Sequence, residues 1–276
     1  MENKYMPDPV RYPRMTTAEL RASCLIENLF QPGTVQLVYT DADRAVVGGV
    51  VPTSQKLVLG TVKELASAYF AERREIGVLN IGGKGSITVD GKAFSLEKRD
   101  CLYIGRGSQK IEFASADAKS PARFYLVSYP AHTSYPTKLA TQKDAEPVNL
   151  GSQKDANQRT IYKYIHPNGI KSCQLVMGFT ELKEGSVWNS MPPHTHARRT
   201  EVYLYFDVAP DAVVFHVMGS TQETRHLVVR DGEAVLSPAW SMHCGAGTRN
   251  YTFIWAMGGE NQEFTDMDQI AANTIK

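Results

Sequence analysis

The stretch MPPHTHARRTE, residues 191–201, combines two histidines with one acid. His194 and His196 are separated by a single residue, and Glu201 follows His196 by five positions. In an extended strand, residues i and i+2 project from the same face, so the two imidazoles can point at one atom. Imidazole nitrogen and carboxylate oxygen both bind divalent transition metals. The spacing therefore predicts a metal site, provided that the chain bends between His196 and Glu201.

A fourth ligand is predicted in the segment RDGEAVLSPAWSMHCGAG. Gly232 and Pro238 are separated by five residues, and His243 follows the proline by five positions. Three neutral imidazoles and one carboxylate suit Zn²⁺, Fe²⁺, Mn²⁺, Co²⁺ or Ni²⁺, and the residue types do not choose among these ions. The other histidines have no partner at ligand spacing, and we interpret them as structural residues: His132, His166, His216 and His226. Of these, we expect His216 to be half-buried in a strand.

Two arginines, Arg198 and Arg199, lie between the second histidine and the glutamate. A guanidinium can hold a carboxylate through two parallel hydrogen bonds, so either side chain could bind an acidic substrate. The alternative is a solvated hairpin turn that binds no ligand. The sequence leaves both interpretations open.

The composition is that of an ordinary globular protein. The chain has 276 residues, of which 42% are hydrophobic and 21% are charged, and its formal net charge is +1. A net charge this close to zero gives no electrostatic attraction to nucleic acid or to an anionic membrane. No apolar run reaches the ~18 residues that span a bilayer, and the segment MENKYMPDPVRYPRM lacks the apolar region of a signal peptide. We therefore expect a soluble, cytoplasmic protein that binds neither nucleic acid nor membranes.

Short strands dominate the predicted secondary structure. One helix is predicted in TTAELRASCLIENLF, where Thr16 and Glu19 can form a capping box, and one or two further helical turns in TVKELASAYFAERRE. Most of the other segments are short and rich in β-branched residues, with Gly, Pro or Asp between them, and Asp90-Gly91 marks a hairpin. This pattern is typical of an all-β sandwich or barrel.

A weak internal repeat relates the two halves of the chain. Glu75 and Glu201 each open an apolar strand, and similar segments follow both. In the first half, the positions that correspond to the two motif histidines carry Ala68 and Phe70. If the repeat is real, only the second half can hold a metal.

The pattern H-x-H-x4-E followed by G-x5-P-x4-H resembles the two metal-binding motifs of the cupin superfamily. Those motifs supply three histidines and one glutamate from the inside of a small β-barrel. This chain departs from them at Trp240 and Gly247, which replace an expected glycine and asparagine. The departures bear on the subfamily, because all four ligand positions are intact.

A closer resemblance covers nearly the whole chain. The segments AERREIGVLNIGGKGSITVDG, KYIHPNGIKSCQLVMGFTELKEGSVWNSMPPHTHARRTEVYLYFDV and SPAWSMHCGAGTRNYTFIWAMGGEN are similar to the 5-keto-4-deoxyuronate isomerase family. The resemblance implies one zinc ion per chain, a hexamer of identical chains and a role in the breakdown of pectin-type polyuronates. Carried over position by position, it implies the zinc ligands already selected by spacing: His194, His196, Glu201 and His243.

The predicted fold is all-β, with two cupin-type β-barrels and a few short helices. Residues 1–50 would form an N-terminal segment with one helix and strands that pack on the barrels. A barrel without metal would follow at 51–135, then a linker at 136–160, and the metal-binding barrel at 161–276.

The implied reaction is an aldose–ketose isomerisation, in which 5-dehydro-4-deoxy-D-glucuronate becomes 3-deoxy-D-glycero-2,5-hexodiulosonate. Because the four motif residues would all be ligands, the general base must be another group: a metal-bound hydroxide, Glu181, Tyr203 or Tyr251. A hydride shift between the two carbons is also open. The alternatives to an isomerase are a mononuclear iron dioxygenase of the cupin type and a non-catalytic cupin that binds sugar acids.

Overall fold

The computed structural model describes residues 1–276, and its regular structure is almost entirely β-strand. The all-β class is therefore confirmed. No helix is long and apolar enough to cross a membrane. Contacts between residues group the chain into two units. The first unit comprises Met1–Asn3, Asn28–Glu146 and Tyr164–Val176; the second comprises Lys4–Glu27, Pro147–Lys163 and Met177–Lys276.

The single α-helix, α1, and the strands are short. In chain order the structure contains β1 (Glu2–Lys4), α1 (Thr17–Cys24), β2 (Leu25–Ile26), β3 (Val35–Thr40), β4 (Val46–Val50), β5 (Leu57–Val58), β6 (Arg74–Asn80), β7 (Gly85–Val89), β8 (Lys92–Leu96), β9 (Cys101–Ile104), β10 (Ile111–Ser115), β11 (Phe124–Pro130), β12 (Lys138–Ala140), β13 (Pro147–Leu150), β14 (Arg159–Ile165), β15 (Val176–Leu182), β16 (Trp188–Thr195), β17 (Arg199–Phe206), β18 (Val214–Ser220), β19 (Glu223–Val229), β20 (Ala234–Ser237), β21 (Met242–Gly247), β22 (Thr252–Gly259) and β23 (Asp268–Gln269). Five 3₁₀ turns lie at Tyr12–Arg14, Ala42–Arg44, Lys63–Leu65, Gln142–Asp144 and Ala272–Thr274.

The first unit is built on a seven-stranded sheet, in the order β1-β3-β4-β11-β6-β9-β12, and a four-stranded sheet, β5-β10-β7-β8. Buried side chains from both sheets, such as Val78 and Phe113, form one hydrophobic core. The predicted Asp90-Gly91 hairpin joins β7 to β8, with Val89 opposite Lys92. Both turn residues have positive φ, 47° and 86°, which is the conformation that a two-residue hairpin requires and that Gly adopts without strain.

The second unit repeats this plan. Its seven-stranded sheet runs β13-β14-β15-β22-β17-β20-β2, and its five-stranded sheet runs β19-β18-β21-β16-β23. The central order β14-β15-β22-β17-β20 matches β3-β4-β11-β6-β9 of the first unit. Glu75 on β6 and Glu201 on β17 therefore lie on equivalent strands, in agreement with the internal repeat.

The helix is shorter than the sequence indicates. Its capping box is present: the Glu19 amide donates to Thr16 Oγ1 at 3.3 Å, and the Thr16 amide donates to Glu19 Oε2 at 2.7 Å. The helix ends at Cys24 because Leu25 and the next residue pair with β20 as β2, Leu25 lying opposite Val235. A tertiary strand pairing thus replaces the last turns of the predicted helix. In TVKELASAYFAERRE the structure has a single 3₁₀ turn.

The boundaries predicted for the N-terminal segment, the two barrels and the linker remain predictions. Residues 136–160, interpreted as a linker, contain β12 and β13, which pair with β9 and β14. Residues 4–27, assigned to the N-terminal segment, cluster with the second unit. The two units defined by contacts therefore divide the chain differently from the four predicted segments.

Candidate metal centre

Three strands and one turn carry the four predicted ligands. His194 on β16 lies directly opposite His243 on β21, within the five-stranded sheet. Glu201 lies near the start of β17, in the other sheet of the same unit. His196 follows the end of β16, where the Arg199 amide donates to the His196 carbonyl at 3.0 Å and closes a turn. The bend expected between the histidines and the acid is present, and it brings Glu201 from one sheet towards the imidazoles of the other.

The four side chains converge. Their ligand atoms all lie within 4.8 Å of one another, and all four residues are buried. His196 Nε2 is 2.9 Å from Glu201 Oε2, and His243 Nε2 is 3.0 Å from the same oxygen. His243 Nε2 is 3.1 Å from His194 Nε2. Three ring nitrogens and one carboxylate oxygen therefore face one small volume.

The opposite ring nitrogens are held by other groups. His196 Nδ1 lies 3.2 Å from the Arg199 carbonyl, to which it can only donate. His243 Nδ1 lies 3.1 Å from Ser237 Oγ. The carbonyl keeps the proton of His196 on Nδ1, so that its Nε2 lone pair can face a metal, and Ser237 Oγ fixes the orientation of the His243 ring.

The charges at the centre favour a cation. Burial acts to raise the pKa of Glu201, but hydrogen bonds from His196 and His243 outweigh it and hold that pKa well below its usual value. Burial, together with the neighbouring His243, lowers the pKa of His194 to about 3. Burial also acts to lower the pKa of His196, yet the hydrogen bond to Glu201 raises it overall. An ionised carboxylate among imidazoles attracts positive charge, which protons or a divalent ion can supply. The residues therefore fit a metal, and this buried His₃–Glu site can bind a divalent ion.

A cavity of about 230 Å³ opens beside the site, with His194 and Glu201 in its wall. Most of the lining is apolar, including the aromatic rings of Phe253, Trp255 and Phe264. Gly178 permits the Trp255 ring to lie against β15, because a Cβ at this position would lie 2.5 Å from that ring. A small, apolar cavity with a few polar groups is typical of a site for a small molecule.

Of the three residues considered as the general base, one lines this cavity. Tyr203 lines it, and its hydroxyl lies 3.3 Å from Ser190 Oγ. Tyr251 is buried outside the cavity lining and accepts a hydrogen bond from Asn189 Nδ2 at 2.5 Å. Glu181 alternates with the cavity residue Thr180 along β15, and its carboxylate lies 3.2 Å from Lys183 Nζ.

The two motif arginines lie outside the cavity lining. Arg198 Nε donates to both carboxylate oxygens of Asp266, at 2.7 and 2.9 Å, and a second nitrogen donates to Asp268 at 3.1 Å. The Arg199 side chain is buried and donates to the Asp266 carbonyl at 2.9 Å. Substrate binding by either arginine stays a prediction, and their contacts are to the protein itself.

Two polar features of this unit were missed in the sequence. His216, interpreted as half-buried, is fully buried, and its Nδ1 lies 2.8 Å from the Tyr205 hydroxyl. Arg159 lines the cavity from β14, on the same strand face as Ile161. Alternation along β14 places these two together, but no spacing relates either to the metal motif.

Comparisons with known proteins agree with this architecture. The model of the KduI/IolB family matches residues 25–273. The chain is 52% identical over 276 residues to a 4-deoxy-L-threo-5-hexosulose-uronate ketol-isomerase of Shouchella clausii and 54% identical to that of Halalkalibacterium halodurans, each match covering 100% of both chains. Among solved structures, an IolB-like protein of Salmonella typhimurium superposes with a TM-score of 0.74 at 13% identity, covering 90% of this chain and 97% of the other. A Lactobacillus farciminis oxalate decarboxylase superposes with a TM-score of 0.57 at 11% identity, covering 90% and 89%. The two superpositions show a shared fold.

Proposed function

Since the chain belongs to the KduI/IolB family, we propose that it is a ketol-isomerase, an intramolecular oxidoreductase that acts on 4-deoxy-L-threo-5-hexosulose-uronate. The observation that carries the proposal is the buried His₃–Glu site in the wall of a small cavity, in a chain more than half identical to relatives that bear this name. The reaction would convert the C1 aldehyde and C2 hydroxyl of the sugar acid into a C1 hydroxymethyl group and a C2 ketone.

The ion that we assign to this site is Zn²⁺, one per chain, held by His194, His196, Glu201 and His243. When bound, a divalent metal would polarise the substrate carbonyl and stabilise the negative charge that forms on oxygen as the C2 proton leaves. The protein's share is to orient the imidazoles of His196 and His243 through the Arg199 carbonyl and Ser237 Oγ, so that their Nε2 atoms face the metal.

The cavity wall supplies two further effects. The rings of Phe253 and Trp255 exclude water, and this strengthens electrostatic interactions with the reacting oxygens. Tyr203, the one candidate base that lines the cavity, places a hydroxyl where it can exchange a proton or a hydrogen bond with a substrate oxygen. We propose Tyr203, ahead of Tyr251 and Glu181, as the proton-handling residue of the cavity.

The biological setting follows from the proposed substrate. We propose a cytoplasmic enzyme of carbohydrate metabolism that acts in the degradation of pectin-type polyuronates and assembles as a homohexamer. We also propose that the first unit is a cupin-like barrel without metal, because the described chain contains one His/Glu cluster with the geometry of a metal site, in the second unit.

Anaerobic turnover tests the proposal. Metal-loaded protein should convert 4-deoxy-L-threo-5-hexosulose-uronate to 3-deoxy-D-glycero-2,5-hexodiulosonate without oxygen, nicotinamide or phosphate, as followed by NMR, and a chelator should stop it. Glu181→Gln should convert the acid at the wild-type rate if Tyr203 handles the proton, since the Glu181 carboxylate lies outside the cavity lining. No conversion by folded, metal-loaded protein, together with oxygen uptake on the same sugar acid, would refute the isomerase in favour of a dioxygenase.

A further inference from the structure

The cavity contains one permanently charged cation besides the ligand cluster. Among its lining residues, Arg159 alone carries a guanidinium or an ammonium group. Arg159 lies at the start of β14, and its side chain shares the cavity wall with Ile161 and Thr180. Arg159 therefore brings a positive charge to the wall of a space that is otherwise lined mainly by apolar side chains.

The Arg159 guanidinium has no anionic partner in the protein. Its one hydrogen bond runs from a terminal nitrogen to the Asn157 carbonyl at 2.9 Å, and no carboxylate lies within 4.0 Å. Burial lowers the pKa of Arg159, which reflects the cost of removing this charge from water. Arg198, by contrast, is paired with two carboxylates. A half-buried cation without a counter-ion in a cavity is a group prepared for an anion.

The proposed substrate has its charge at the end of the chain that does not react. Isomerisation involves C1 and C2, whereas the carboxylate is at C6. A cavity that binds this molecule needs one polar group for each end, and the ligand cluster serves the reacting end. Arg159 is not a ligand, and beyond the hydrogen bond to Asn157 its remaining N–H groups can bind the other end. Two parallel N–H groups of a guanidinium match the two oxygens of a carboxylate.

We propose that Arg159 binds the substrate carboxylate and thereby sets the preference of the cavity for sugar acids over neutral sugars. The inference rests on the proposed function, because it takes the uronate as substrate. It assigns the role of carboxylate clamp to a residue remote in sequence from the metal motif, in place of the motif arginines Arg198 and Arg199.

The test compares an acid with its neutral counterpart. Metal-loaded wild type, Arg159→Met and Arg159→Lys are assayed with 4-deoxy-L-threo-5-hexosulose-uronate and with the same sugar bearing CH₂OH in place of the carboxylate. Arg249→Met is the matched control, since Arg249 is exposed and pairs with Asp211 at 2.7 Å. Circular dichroism and metal content show whether each variant is folded and loaded.

Arg159→Met should raise KM for the acid about 10- to 100-fold, the range expected for losing a charge-assisted two-point contact. KM for the neutral sugar should stay unchanged, and kcat for the acid should change little, because the carboxylate is bound alike before and during the reaction. Arg159→Lys should give a smaller rise, since it keeps the charge and loses the planar fork. Arg249→Met should match the wild type with both sugars.

Two results would overturn the inference: an unchanged KM for the acid in Arg159→Met, or an equal rise for both sugars, which indicates a purely structural role. If Arg159→Met does not fold, the same comparison with Arg159→Lys decides. Calorimetric titration of the acid separates this inference from the proposed function. A wild type that binds the acid without converting it refutes the isomerase, while weaker binding by the Arg159 variants still supports the clamp. Equal binding by wild type and variants, or no binding by the wild type, refutes the clamp.

Discussion

Replacement of His243 by alanine should remove the metal and leave the β fold. His243 is 1% exposed, and its Nε2 lies 3.0 Å from Glu201 Oε2 and 3.1 Å from His194 Nε2. The His243→Ala variant keeps three of the four ligands, and a neutral, small side chain replaces the imidazole at the centre. His226→Ala is the control, because this imidazole is exposed and its ring contacts Phe215 on the neighbouring strand.

The size of the effect follows from binding linkage. A metal present at ~1,000 times its dissociation constant stabilises the folded state by about 4 kcal/mol, because it binds the folded chain and not the unfolded one. A loss of this size lowers the melting temperature of a domain of 150–250 residues by about 8–16 °C. The imidazole is also a buried side chain, so the cavity that it leaves adds to the loss.

Metal analysis and calorimetry measure both effects. Wild type and His226→Ala should hold about one divalent ion per chain, and His243→Ala should hold almost none after dialysis. A chelator should lower the melting temperature of the wild type towards that of His243→Ala and should not affect that variant. Stoichiometric metal in His243→Ala, or a second tightly bound ion in wild-type protein, would refute the assignment of the ligands.

Three further predictions concern residues around the site. Ser237→Ala removes the hydrogen-bonding partner of His243 Nδ1 and should weaken metal binding about 10- to 100-fold in a competition titration with a chromophoric chelator; equal affinity would show that this hydrogen bond does not orient the ring. Gly178→Ala places a Cβ 2.2 Å from the Tyr162 carbonyl oxygen and should destabilise the protein by about 1–3 kcal/mol in urea; an unchanged midpoint would mean that β15 can shift. Arg198→Lys should leave KM for the sugar acid within about twofold of the wild-type value, because this guanidinium is already paired with Asp266. A higher KM with unchanged kcat would show that Arg198 binds the substrate.

Local features were predictable because they depend on neighbouring residues. The helix cap at Thr16, the hairpin at Asp90-Gly91 and the facing of His194 and His196 all depend on residues within a few positions of one another. Patterns of this kind arise from backbone geometry and nearby hydrogen bonds, which a linear sequence records directly.

Errors arose where a distant strand competes with local preference. Residues after Cys24 continue a helical pattern, yet Leu25 pairs with Val235 on β20, about two hundred positions away. His216 was predicted to be half-buried, but it is fully buried, and its Nδ1 lies 2.8 Å from the hydroxyl of Tyr205 on β17. Helix propensity and alternation do not report which partner a strand will acquire.

The sequence by itself determined which residues could bind a metal and that the fold would consist of strands. Ligand chemistry is a property of the side chain, and strand periodicity is a property of the adjacent backbone. Only the tertiary structure decided that Arg159 shares a cavity with His194 and Glu201, and that Arg198 pairs with Asp266 instead. The physical reason is that these neighbours are set by strand order and register across two sheets, which depend on the packing of the whole core.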